Sequence, residues 1–245
     1  MTGKKTGVFY GVGVGPGDPE LLTVKAVRVL EGASVIAVPR SQDSTTDPQG
    51  HALSIVKKAL SLDGKEILEL PLPMTKDKAL LAGSRAKAAA KIAGRLSEGK
   101  DVAFITLGDP MLYSTFSYLV PFVKDALPHA DVRVVPGVTA FSAAAATARA
   151  PIAEAHEKVV IVPASYGAGD VKKLLVDFDT IVLMKVHKAM DSLIDLLTEE
   201  GLADRAFFVT KVGWPEEEIV TDVRTLKGKK LDYFSMLFIK AASRN

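Results

Sequence analysis

Short apolar, β-branched runs alternate along the chain with longer amphipathic stretches, and this alternation predicts an α/β fold. The predicted strands cover residues 8–14, 35–38, 66–70, 101–107, 131–135, 159–162, 180–184, 206–212 and 234–240. The predicted helices cover residues 19–31, 52–60, 76–97, 114–127, 139–148, 170–176 and 188–200. Because residues 102–107 of the fourth predicted strand form a continuous apolar run, we expect this strand near the centre of a sheet.

The strand at 131–135 ends in a Pro136-Gly137 turn, and the spacing of the elements changes there. We therefore predict two α/β domains of similar size, an N-terminal domain over residues 1–136 and a C-terminal domain over residues 137–245. The polar stretch at 41–50 has no periodicity, so we expect a loop that could act as a lid near a site.

The amino-acid composition excludes several classes of function. The 245 residues include no cysteine, which excludes disulfides, thiolate catalysis, iron–sulfur clusters and cysteine zinc sites. The formal net charge of +2 comes without a dense Lys/Arg cluster, so we expect no nucleic-acid partner. No apolar run is long enough for a membrane span, and the first residues do not resemble a secretory signal. A soluble cytoplasmic protein is the expectation.

A glycine-rich turn follows the first predicted strand. Gly11, Gly13, Gly15 and Gly17 alternate with other residues, and the absent side chains would let the backbone approach a ligand. The pattern does not fit the dinucleotide motif G-x-G-x-x-G, and no Lys-Ser or Lys-Thr pair follows it as in a phosphate loop. A ligand-binding turn and a purely structural tight turn therefore both remain open.

Two more loops follow predicted strands. Asp109, beside Gly108, could bind a ligand or could only cap the next helix, where Ser114 and Thr115 are equally good caps. Residues 136–140 could admit a flat ring or allow close packing. The four histidines are scattered without metal-ligand spacing. Ligands of open α/β sheets bind beyond the carboxyl ends of strands, so these loops predict a cofactor bound largely through backbone groups.

Three segments resemble the tetrapyrrole methylases, namely GVGVGPGDPELLTVKA at 11–26, GDPMLYST at 108–115 and PGVTA at 136–140. The resemblance implies the two-domain α/β fold of that family, the class III methyltransferases, with an active-site cleft between the domains. It also implies S-adenosylmethionine as the methyl donor, no metal bound by the protein, and a homodimer.

Four further segments resemble one branch of this family, namely VPR at 38–40, PLPMTKD at 71–77, DVAFITLGDPMLYSTFSY at 101–118 and YFS at 233–235. Members of this branch methylate the C-20 meso carbon of precorrin-2 or cobalt-factor II in cobalamin biosynthesis. The alternatives are a methylase of the same fold that acts on another tetrapyrrole carbon or on a macromolecule, and a carrier without activity. Nothing in the sequence indicates whether the substrate contains cobalt.

The resemblance also implies a set of residues that contact S-adenosylmethionine. These residues are Val14, Gly108, Asp109, Leu112, Ser114, Thr115, Thr139, Ala140, Met184, Gly213, Ser235 and Met236. At one point the chain departs from the family, because GWPEEE at 213–218 stands where many relatives have Gly-Thr-x-x-x-Gln.

No residue is singled out as the base that would remove a proton from the substrate. Asp77, Tyr113 and His187 are candidates by location only. A tetrapyrrole with many carboxylates also needs basic partners. The basic candidates are Arg40, Lys76 and Lys185.

Overall fold

The computed structural model describes residues 5–40, 50–73, 75–164 and 168–241. The chain divides into two units, Met1–Thr139 and Ala140–Asn245. The predicted lid loop at 41–50 lies outside the described residues except for Gly50. None of the helices in the described ranges combines the length and the apolar character needed to cross a bilayer.

The first unit is built on a five-stranded sheet in the order β3-β2-β4-β1-β5, in which every neighbouring pair is parallel. Its strands are β1 (Val8–Gly13), β2 (Val35–Arg40), β3 (Glu66–Pro71), β4 (Val102–Thr106) and β5 (Asp131–Val135). Its helices are α1 (Val24–Gly32), α2 (His51–Ala59), α3 (Lys78–Ser97) and α4 (Thr115–Ala126). The prediction that the strand at 101–107 is central is confirmed, because β4 lies between β2 and β1.

A cluster of aromatic rings fills the core beneath β1 and β4. The ring of Phe116, in α4, lies 5.2 Å from that of Phe9 and 6.0 Å from that of Phe104, and all three side chains are buried. A Cβ on Gly11 would lie 2.5 Å from the Phe116 ring. Gly11 therefore makes room for the Phe116 ring, through which α4 packs on the sheet. This is a packing role and not a ligand-binding one.

The second unit has a mixed sheet in the order β6-β7-β10-β8-β9, in which only β6 and β7 are parallel. Its strands are β6 (Val159–Pro163), β7 (Thr180–Met184), β8 (Ala206–Thr210), β9 (Glu218–Val220) and β10 (Ser235–Lys240). Its helices are α5 (Ala140–Ala148), α6 (Ala168–Asp177) and α7 (Met190–Glu199). The apolar side of α7 packs in the core of this unit, where Leu193 and Leu197 are fully buried.

All nine predicted strands are present, and two differences from the prediction concern local structure. The predicted helix at 19–31 is two elements, a 3₁₀ turn (Pro19–Leu21) capped by Asp18 and the helix α1 capped by Thr23. The Thr23 hydroxyl accepts the Ala26 N–H at 3.0 Å and restarts the helix. The short edge strand β9 was not predicted, because three residues are too few to show an alternating pattern.

Candidate functional site

The carboxyl ends of β1, β4 and β5 lie side by side, because these strands are neighbours in a parallel sheet. The loops that follow β1 and β4 are joined by backbone hydrogen bonds. The Val14 N–H donates to the Thr106 carbonyl at 3.0 Å, and the Gly108 N–H donates to the Gly15 carbonyl at 2.9 Å. Ligands of open parallel sheets bind at this edge.

Gly13, Gly108 and Gly137 lie backbone to backbone at this edge, a contact we call the glycine crossing. A Cβ on Gly137 would lie 2.1 Å from the Gly108 carbonyl oxygen, and a Cβ on Gly13 would lie 2.5 Å from the same atom. Gly108 itself has a φ of +65°, in the region that favours glycine. The space at Gly13 and Gly137 is thus filled by the protein's own backbone, so loop packing explains these two glycines.

Asp109 connects two of the three loops. Its Oδ1 accepts the Met111 N–H at 2.8 Å, and its Oδ2 accepts the Gly137 N–H at 2.9 Å. Ser114 is the residue that caps α4, since its hydroxyl oxygen accepts the Phe116 N–H at 3.2 Å. The alternative that Asp109 only caps this helix is therefore wrong, and the carboxylate fixes the shape of the site instead.

The other first-unit residues implied for the cofactor lie around the crossing. Leu112 and Thr115 are half-buried. A Cβ on Gly108 would lie 3.9 Å from the Thr139 Cα, so Thr139 lies beside the crossing. Val14 is fully buried, and its N–H is already used by the bond to the Thr106 carbonyl. Ala140 is the first residue of α5 in the second unit.

In the second unit, three of the implied residues lie at one end of the sheet. Met184, the last residue of β7, pairs with Met236 of β10 and with Pro163 of β6. Ser235, the first residue of β10, pairs with Thr210 at the end of β8. The structure thus brings Met184, Ser235 and Met236 together from two neighbouring strands.

The Ser235 hydroxyl is a buried polar group without a partner. Its residue is 1% exposed, and the described residues offer its Oγ no hydrogen bond. A buried hydroxyl that makes no hydrogen bond destabilises a protein. The Thr180 hydroxyl, at the start of β7, is buried without a partner as well, so this feature alone does not identify a binding site.

The loop after β8 closes on itself. The Gly213 N–H donates to the Glu217 carboxylate at 2.7 Å, and Gly213 has a φ of +78°. This contact uses the segment in which the chain departs from the family pattern. Glu217 was not among the residues that the resemblance implies. The sequence of residues 213–218 does not show which of its three glutamates accepts the hydrogen bond from Gly213.

Two basic residues of the loop after β7, Lys185 and His187, contact Tyr233 of the loop before β10. Lys185 has a φ of +62°, and its N–H donates to the Ser235 carbonyl at 2.8 Å. The Lys185 Nζ lies 5.2 Å from the Tyr233 ring centroid, within the range of a cation–π contact. The His187 and Tyr233 rings pack edge to face, with their centroids 5.5 Å apart. Lys185 and His187, two candidates from the sequence, thus share one neighbour, Tyr233.

The candidate bases differ in what they already bind. Asp77 is the N-cap of α3, since its Oδ1 accepts the N–H groups of Ala79 and Leu80 at 2.9 and 3.1 Å. Tyr113 is half exposed, in a left-handed conformation with a φ of +50°. The buried Nδ1 of His187 has no hydrogen-bond partner among the described residues. This nitrogen is enclosed by the protein, so its lack of a partner does not by itself make His187 the base.

These features define a two-unit α/β protein with a loop site at the carboxyl edge of a parallel sheet. Over the parts of the chain that the structure covers, no three His, Cys, Asp or Glu side chains are placed to hold a metal ion. Residues 8–227 match the family described as Tetrapyrrole (Corrin/Porphyrin) Methylases. The chain belongs to this family, as its loops suggested.

Two curated relatives match almost the whole chain. A probable cobalt-precorrin-2 C(20)-methyltransferase of Methanocaldococcus jannaschii is 36% identical over 240 residues, which cover 96% of each chain. A precorrin-2 C(20)-methyltransferase of a Sinorhizobium species is 29% identical and covers 98% of this chain and 97% of its own.

Among solved structures, the fold is similar to that of the uroporphyrin-III C-methyl transferase of Thermus thermophilus complexed with S-adenyl homocysteine. The TM-score is 0.66 at 23% identity, over 96% of this chain and 97% of that one. This likeness shows the fold.

Proposed function

We propose that this protein transfers a methyl group from S-adenosylmethionine to the C-20 meso carbon of precorrin-2 or cobalt-factor II in cobalamin biosynthesis. The observation that carries the proposal is the similarity of nearly the whole chain to enzymes named for this reaction. The glycine crossing and the two hydrogen bonds accepted by the Asp109 carboxylate support it. They provide a preformed loop site at the edge where such folds bind ligands.

Each unit, taken by itself, has residues that would suit part of the cofactor. In the first unit, Gly108, Leu112 and Thr139 would hold it beside the glycine crossing, where backbone groups dominate. In the second unit, the buried Ser235 hydroxyl offers an unused hydrogen bond. Met184 pairs with Met236, the residue after Ser235, so its thioether lies on the opposite face of the sheet and offers a separate polarisable apolar surface.

The protein's part in the reaction is positioning and the exclusion of water. Bound S-adenosylmethionine supplies an electrophilic methyl group on a sulfonium. The loops fixed by Asp109 would hold donor and acceptor in line, and such alignment can lower a barrier by several kcal/mol. The C-20 proton must leave after transfer, and the described contacts single out none of the candidates Asp77, Tyr113 and His187 as the group that accepts it.

The proposal extends to the setting of the reaction. We infer a cytoplasmic enzyme that acts as a homodimer, as the family resemblance implies. The competing function is methylation of a different tetrapyrrole carbon by the same fold. No described feature favours a macromolecular substrate, which would need an extended basic face or a docking groove.

The test is anaerobic incubation of the purified protein with S-adenosylmethionine and either precorrin-2 or cobalt-factor II, followed by mass spectrometry of the tetrapyrrole. We expect a gain of one methyl group with one of the two substrates, which also assigns the cobalt content. A gain only with a later intermediate of the pathway would support the competing function. No gain with any tetrapyrrole, despite cofactor binding, would contradict both.

A further inference from the structure

Arg40 lies at the same edge of the first sheet as the glycine crossing. It is the last residue of β2, which pairs directly with β4, and β4 leads into the crossing at Gly108. Parallel strands are about 4.8 Å apart, so the ends of β2 and β1 are separated by about 10 Å. A ligand as broad as a tetrapyrrole spans that distance.

One side of the Arg40 guanidinium is held by Glu69. Its Nε and one terminal nitrogen both donate to Oε1 of Glu69, at 3.2 and 2.6 Å. Glu69 lies on the neighbouring strand β3, and its side chain is 56% exposed, against 17% for that of Arg40. The arginine is thus the more buried partner, and the exposed glutamate fixes its orientation.

The other terminal nitrogen of Arg40, Nη1, has no acceptor. It is buried, and no described residue accepts a hydrogen bond from it. A Cβ on Gly50 would lie 3.3 Å from this nitrogen and 3.3 Å from a methyl group of Val38, so the absent side chain of Gly50 makes room for the guanidinium itself. A charged donor that is withdrawn from water without an acceptor destabilises the fold unless a ligand supplies one.

A second arginine–glutamate pair on the same strand shows that this arrangement is not general. At the amino end of β3, the Arg95 Nε donates to both oxygens of Glu66, at 2.8 and 3.0 Å. Its Nη1 lies 3.6 Å from the carboxylate of Glu98. The Arg95 guanidinium is therefore shared between two carboxylates. Arg40 has one carboxylate and lies at the ligand-binding edge.

We propose that Arg40 binds a carboxylate of the tetrapyrrole substrate through its Nη1 side, while Glu69 holds the guanidinium in position. A guanidinium can bind two carboxylates because its donors form two separate forks, of which Glu69 occupies the one at Nε. The inference rests on the proposed function for the nature of the ligand, a flat macrocycle with acetate and propionate arms. It assigns Arg40 to substrate binding and not to the cofactor.

The test compares Arg40→Gln and Arg40→Lys with the matched control Arg95→Gln, which disrupts the same kind of pair away from the site. Uroporphyrin III, a stable tetrapyrrole polycarboxylate, serves as the probe, with its Kd measured by fluorescence quenching. We expect Arg40→Gln to raise this Kd roughly ten- to a hundredfold. Arg40→Lys, which keeps the charge and loses the fork, gives an intermediate value. Arg95→Gln stays within about twofold of the wild type.

Two further readouts separate a binding role from a structural one. The Kd for S-adenosylmethionine and the thermal midpoint of Arg40→Gln stay close to those of the wild type, and in turnover its KM for the tetrapyrrole rises while kcat is retained. If Arg40→Gln does not fold, Arg40→Lys decides the matter through the same Kd. Unchanged porphyrin binding in a folded Arg40 variant, or no porphyrin binding by the wild type, overturns the assignment.

The outcome for Arg40 is distinguishable from that for the proposed function. Methylation of precorrin-2 or cobalt-factor II with an unchanged KM in Arg40→Gln would refute the role of Arg40 and leave the function standing. Porphyrin binding that depends on Arg40, without methylation of any tetrapyrrole, would support Arg40 and refute the function.

Discussion

Replacing Gly137 by alanine perturbs the glycine crossing with a single methyl group. The added Cβ would lie 2.1 Å from the Gly108 carbonyl oxygen and 2.8 Å from the Gly13 Cα, whereas ordinary contacts begin near 3.4 Å. Both neighbours are backbone atoms, so no rotation of a side chain relieves the overlap. The backbone at Gly137 is not in the left-handed region, and the effect of the substitution is therefore steric.

The size of the effect follows from two contributions. Overpacking in a well-packed region destabilises a protein by about 1–3 kcal/mol, and contacts with backbone place this substitution at the upper end. The displaced Gly137 N–H also loses its 2.9 Å bond to the Asp109 carboxylate, a hydrogen bond to a charged group that contributes about 1.5–3 kcal/mol. We expect a loss of roughly 4–6 kcal/mol, a large fraction of the about 5–15 kcal/mol typical of folded proteins.

Urea unfolding followed by circular dichroism measures the loss, and calorimetry measures the Kd for S-adenosylmethionine. The control is Gly83→Ala, inside α3, where a Cβ would meet nothing within 4 Å. The free energy of unfolding of that variant should be about 0.5–1 kcal/mol higher than that of the wild type, because alanine is the better helix former. Gly137→Ala should bind the cofactor at least tenfold more weakly. A Gly137→Ala variant within about 1 kcal/mol of the wild type, with unchanged cofactor affinity, would refute the crossing as the basis of the site.

Three further predictions address single groups. Asp109→Asn keeps one acceptor for two N–H groups, so it should lose about 1.5–3 kcal/mol in urea unfolding, while Asp18→Asn, which replaces a carboxylate that accepts one N–H, should lose under about 0.5 kcal/mol. Equal losses of stability in the two variants would contradict the role of Asp109 in joining the two loops. Ser235→Ala removes an unpartnered buried hydroxyl, so its thermal midpoint should stay level or rise while its Kd for S-adenosylmethionine rises about tenfold; a lower midpoint with unchanged Kd would refute the cofactor role. The hydrogen bond from Arg224 lowers the pKa of Asp222, so the carboxylate stabilises the folded state above its unfolded pKa, and this contribution is lost as the pH falls through the folded pKa. Asp222→Asn should therefore be less stable than the wild type near neutral pH and equal to it in strong acid, and a difference that persists in acid would contradict this.

The fold was predictable where hydrophobic runs are bounded by clear turn residues. The strands β5 and β7 match their predictions at both ends, because polar or turn residues flank each apolar run. The division of the helix at 19–31 was not predicted. It depends on the Thr23 hydroxyl capping a new helix after a short 3₁₀ turn, and the apolar spacing continues across the break.

The site was predictable as a set of loops but not as a set of contacts. The position of the loops after strands predicted that they lie at one edge of the sheet, and the structure brings them together there. The reason for individual glycines required the structure, since Gly13 and Gly137 are distant in sequence and meet only once β1 and β5 pair. The same holds for Arg40 and Glu69, because their pairing depends on the register of β2 and β3.

The most direct test of the central claim is the position of the transferred methyl group. The reaction is run anaerobically with S-adenosylmethionine that carries a ¹³C-labelled methyl group, and the tetrapyrrole product is examined by carbon NMR. The proposed function predicts one labelled methyl on the C-20 meso carbon and loss of the C-20 proton signal. A label on any other carbon, or none on the macrocycle, would contradict it.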